Sequence, residues 1–90
     1  MSRVEIAEKF AASLGQVCSA KVWSSGEKVR VYFEFARGYQ GGAGGGKFGH
    51  VELGKAALVK AVDWASVPTG FREAFRAAAA VADDALKESN

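Results

Sequence analysis

Ninety residues suffice for one hydrophobic core and not for two, so the chain is read as a single domain over residues 1–90, without space for separate catalytic and recognition domains. Apolar residues make up 49% and charged residues 24%, the balance of a folded chain; a lone Cys18 and a lone His50 exclude an internal disulfide and a cysteine–histidine zinc cluster. The net charge is only +2, and its whole excess falls in residues 17–53, which carry five basic and three acidic groups.

Ser2 with Glu5 three residues later has the form of a capping box, and Ile6, Phe10 and Leu14 follow at helical spacing. A helix is predicted over 3–14, stopped by a left-handed Gly15. The segments "VCSAKVW" and "KVRVYFEFA" are rich in β-branched and aromatic residues around the turn "SSGE", which predicts a hairpin. In its second strand Val29, Val31, Phe33 and Phe35 share one face, and Lys28, Arg30, Tyr32 and Glu34 the other. A third strand is expected over Lys47–Leu53, with Val51 and Leu53 opposite Phe48, His50 and Glu52. The segment "KAALVKAVDW" suits either a helix face or a fourth strand, and the strand is preferred. After "SVPTG", with Ser66 or Thr69 as cap and Pro68 in the first turn, Phe71, Phe75, Ala78, Ala82 and Leu86 mark a long helix. The tail 87–90 is expected to fray. The fold class is α+β: an N-terminal helix, an antiparallel β-meander of three or four strands, and a C-terminal helix, both helices packed on one sheet face.

The glycine-rich stretch Gly41–Gly46, broken only by Ala43, falls in the loop between the second and third strands and is read as a flexible hairpin tip over 38–46. "GGAGGGKF" falls one residue short of the nucleotide-binding pattern G-x-x-x-x-G-K-[ST], since Phe48 has no hydroxyl for magnesium and a strand, not a helix, follows. "GGKFGHVEL" places Phe48, Gly49 and Val51 where the octet of the RNA-recognition motif has an aromatic, a small residue and a valine. It departs from that octet at Gly46, Lys47, His50 and Leu53, and a helix precedes the first strand, so neither family is assigned.

If the valine and phenylalanine face is covered by the helices, the other sheet face carries Lys21, Trp23, Lys28, Arg30, Tyr32, Phe48 and His50, with Arg37, Tyr39 and Lys47 near the glycine loop. Aromatic side chains interleaved with cations suit single-stranded DNA or RNA, because bases stack on rings while cations follow phosphates. The same aromatics could instead be buried in a homodimer or against another protein. Cys18 falls on the core face, away from His50, and Asp83 and Asp84 point in different directions on a helix and read as a solvated face. No catalytic group is therefore assigned. The expectation is a binding protein and not an enzyme, without cofactor or metal. With no apolar run of membrane-spanning length and no signal-peptide pattern after Met1, a cytoplasmic location without membrane contact is expected.

Overall fold

The computed structural model describes residues 1–35 and 47–89. Helix α1 spans Arg3–Leu14 and opens with the full capping box: the Ser2 hydroxyl accepts from the Glu5 N–H, and the Glu5 carboxylate accepts from the Ser2 N–H. The Ser2 N–H donated to the carboxylate, and after it the Ser2 hydroxyl, hold the Glu5 carboxyl below its ordinary value, since both favour the charged form. Ile6, Ala7, Phe10, Ala11 and Leu14 form the buried stripe. The helix does not end on a left-handed residue, because Gly15 has right-handed dihedrals (φ −63°). Instead the Leu14 carbonyl accepts from the N–H groups of both Val17 and Cys18, which turns the chain into the sheet.

Four strands follow: β1 (Ser19–Ser25), β2 (Lys28–Glu34), β3 (Lys47–Leu53) and β4 (Leu58–Val62). They lie in the order β1-β2-β3-β4, each antiparallel to its neighbour. Gly26, at φ 61°, makes the tight turn between β1 and β2. The ambiguous segment is a strand, with Leu58 opposite Leu53 and Val62 opposite Gly49. Strand alternation prevails there because it buries Leu58 and tucks in Val62 while turning Val59 and Ala61 outward.

Helix α2 spans Phe71–Glu88 and buries Phe71, Phe75, Ala78, Ala79, Ala82 and Leu86. Its N-cap is Gly70 (φ 85°), with no side-chain cap, so neither Ser66 nor Thr69 has the role expected of it. Ser66 instead donates to Asp63, whose carboxylate also accepts from the Ala65 N–H and so organises the turn before the helix. The helix continues through Lys87 and Glu88, where fraying was expected, and the Ser89 hydroxyl donates to the Met1 carbonyl at 2.9 Å. Asp83 departs from its expected solvated place as well: its carboxylate accepts from the Leu58 N–H at 2.8 Å and fastens α2 to β4.

Both helices cover one face of the sheet, and the core between them is built on aromatic rings. The Phe33 ring, fully buried, lies 5.3 to 6.2 Å from those of Phe10, Phe48, Phe71 and Phe75. Phe48 was expected on the outer face, and here the structure corrects the sequence reading. Phe33 stands opposite Gly49 and Glu34 opposite Lys47, so Phe48 is an extra residue on β3, a β-bulge. The bulge resets the alternation, and Phe48 turns inward, 3% exposed, stacked on Phe33 with the ring planes 20° apart.

Gly49 permits this. Its φ of 151° is a conformation that side-chain-bearing residues rarely adopt, and a Cβ there would lie 2.6 Å from the backbone of Ala61 and Val62 on β4.

Candidate functional site

The helix-free face of the sheet is defined by the strand register. β1 contributes Lys21 and Trp23; β2 contributes Lys28, Arg30, Tyr32 and Glu34; β3 contributes Lys47, His50 and Glu52; β4 contributes Val59 and Ala61. Lys21 faces Tyr32, Tyr32 faces His50, Trp23 faces Arg30, and Arg30 faces Glu52. Three rings thereby form a row across three adjacent strands. Trp23 meets Tyr32 edge-on at 6.3 Å between centroids, and Tyr32 meets His50 at 5.0 Å. Trp23 is 41% exposed, whereas Tyr32 and His50 are half-buried by their neighbours.

Arg30 occupies the middle of this face and contacts its neighbours on three sides. Its Nε donates to Glu52 Oε1 at 2.8 Å, its Nη1 donates to the Tyr32 hydroxyl at 3.0 Å, and its guanidinium lies 5.5 Å from the centre of the Trp23 ring. The bond to Tyr32, and after it the bond to Glu52, raises the Arg30 pKa above its ordinary value. In return Arg30 holds the Glu52 carboxyl below its ordinary value. Lys21 approaches Glu34 at 3.7 Å, a mostly exposed contact of little energetic weight. Among the described residues no ion pair engages Lys28 or Lys47, which leaves their charges at the margins of the aromatic row.

Of the residues singled out from sequence, Lys21, Trp23, Lys28, Arg30, Tyr32, Lys47 and His50 share this face. Phe48 does not, for the reason given by the bulge. Arg37, Tyr39 and the glycine loop lie outside the described residues. The sequence reading treated Arg30 as one more cation and missed its bonds to its neighbours; the signal was the register that sets it opposite both Trp23 and Glu52. It also passed over Arg72 and Arg76, one helical turn apart on α2, which with Lys60 and Trp64 line a groove on the other side of the molecule.

Cys18 is buried on the helix side of the sheet, and its thiol donates weakly to the Leu14 carbonyl at 3.7 Å. Burial pushes its pKa up to about 11. Its reaction with Ellman's reagent at pH 8 is expected to be slower in the native protein than in guanidinium chloride by on the order of 100-fold. Equal rates in the two conditions would show an accessible thiol instead. Among the described residues no group of three His, Cys, Asp or Glu side chains is placed to hold a metal ion, and no helix is long and apolar enough to cross a membrane.

No protein-family model, curated protein or solved structure matches this chain.

Proposed function

We propose that the protein binds single-stranded nucleic acid across the helix-free sheet face and acts by binding, not by catalysis. The observation that carries this reading is the row Trp23, Tyr32 and His50 on three consecutive strands, on the face opposite both helices. Bases stack on such rings whatever their sequence, at about 1 to 3 kcal/mol per base. Lys21, Lys28 and Lys47 border the row and reach the phosphates, while Arg30 holds the rings in place. Arg37 and Tyr39 extend the same chemistry along the chain toward the glycine loop.

A second reading, a homodimer or a contact with another protein, draws on Val59 and Ala61. They continue the face onto β4 as an exposed apolar strip, with Val59 60% exposed. Salt separates the two, because counterion release makes phosphate binding fall steeply with salt, whereas an apolar contact holds or strengthens.

The test is an anisotropy titration of labelled single-stranded DNA and RNA oligonucleotides at low and moderate salt. Wild-type protein is expected to bind in a salt-sensitive way, and the Trp23→Ala, Tyr32→Ala double variant to bind at least about tenfold more weakly with an unchanged circular dichroism spectrum. Absence of binding by the wild type at low salt would refute the nucleic-acid reading. A concentration-dependent dimer that the same double variant abolishes would then support the second.

A further inference from the structure

Between β4 and α2 runs a groove of about 450 Å³, lined by Lys60, Trp64, Arg72, Phe75, Arg76 and Ala79 among others. Among the described residues β4 is an edge of the sheet, paired with β3 alone. In an antiparallel ladder, alternate residues direct their N–H and C=O to opposite sides of the strand. The N–H of Asp63, just past the strand, donates toward β3, to the Phe48 carbonyl, whereas the N–H of Leu58 donates away from β3, to Asp83 on α2. By that alternation Lys60 and Val62 share the orientation of Leu58. Their N–H and C=O groups point to the open edge, beside the groove, while Asp83 satisfies the donor at Leu58.

The net charge of the groove is positive. Lys60, Arg72 and Arg76 bring three cations to it, and Asp83, the one acid in its lining, is engaged by the Leu58 amide. The Arg72 guanidinium lies 5.4 Å from the centre of the Trp64 ring, and Trp64 packs edge-on against Phe75 at 5.2 Å, so the floor is aromatic.

We propose that this groove receives an extended acidic peptide segment, which adds to the sheet as a fifth strand beside β4. Lys60 and Val62 supply the backbone hydrogen bonds. Alternate side chains of the added strand point toward α2, where carboxylates meet Lys60, Arg72 and Arg76 above the floor of Trp64, Phe75 and Ala79, while the apolar side chains between them lie on the opposite face, beside Val59 and Ala61. A second copy of the chain is a poorer occupant. Two β4 strands paired antiparallel about their centres would set Lys60 against its own copy, and like charges directly opposite destabilise a strand pair.

The probe is a fluorescein-labelled hexapeptide of alternating glutamate and valine, with a lysine and valine hexapeptide as control. The wild type is expected to bind the acidic peptide at least about tenfold more tightly than the basic one, and the Arg72→Glu, Arg76→Glu double variant to lose that preference. Lys60→Pro removes one outward N–H and no donor of the β3 ladder, and is expected to weaken binding. Because that variant can also disturb the strand, amide exchange in the wild type is the deciding measurement: peptide should slow exchange at Lys60 and Val62. Trp23→Ala, on the other face, should leave peptide affinity unchanged. The proposal is overturned if the wild type fails to bind the acidic peptide, if both peptides bind alike, if charge reversal changes nothing, or if protection appears away from β4. A β4-paired dimer that excludes the peptide would overturn it too.

Discussion

Gly49→Ala is expected to lower the unfolding free energy by about 3 kcal/mol, from a strained backbone conformation together with overpacking. The added methyl group would meet the Ala61 carbonyl oxygen and the Val62 Cα at 2.6 Å, and neither is the end of a flexible side chain that could move aside. Either β4 must separate from β3 or the bulge must flatten. Gly26→Ala is the matching control, since it too replaces a glycine of positive φ but meets nothing within 4 Å. Its cost should stay near 1 kcal/mol. Urea unfolding followed by tryptophan fluorescence measures both. If the two variants lost equal stability, the close approach of β4 to Gly49 would be wrong, and with it the inward turn of Phe48.

Phe33→Ala is expected to cost about 4 kcal/mol, the range for deleting a fully buried aromatic side chain. Its ring contacts four other phenylalanines, two on α2, one on α1 and one on the bulge, so the cavity borders every layer of the core at once. A chain of this length has a total stability on the order of 5 to 13 kcal/mol. The melting temperature should therefore fall by roughly 20 °C, read by circular dichroism. A fall of only a few degrees would mean that the surrounding rings close the space, and that the aromatic core is less tightly packed than its contacts indicate.

The elements that could be read from the sequence are those written in local chemistry. Ser2 and Glu5 specify a capping box within four residues, and the β-branched run around "SSGE" specifies its own hairpin. The spacing of Phe71, Phe75, Ala78, Ala82 and Leu86 identified the buried side of α2 without error. Phe48 was misplaced because its orientation depends on a pairing offset with β2, and period-two alternation carries no mark of an extra residue. The glycine after it was the available sign, for an isolated glycine in a strand often marks a bulge. Asp83 was misplaced for a similar reason. Its partner is a backbone amide twenty-five residues away, and nothing on its own helix indicates that bond. On the candidate face, strand parity placed Lys21, Trp23, Lys28, Arg30, Tyr32 and His50 together, but the bonds joining Arg30 to three neighbours emerge only with the register.

Those bonds change what Arg30 offers a ligand. Its charge is balanced by Glu52, its guanidinium lies over the Trp23 ring, and one of its Nη1 donors is taken by the Tyr32 hydroxyl. Trp23 and Tyr32 are consequently restrained in their rotamers by the fold itself. Immobilising a side chain on association costs about 0.5 to 1.5 kcal/mol of conformational entropy, and here that loss accompanies folding instead. Arg30 thus serves the face by stiffness more than by attraction.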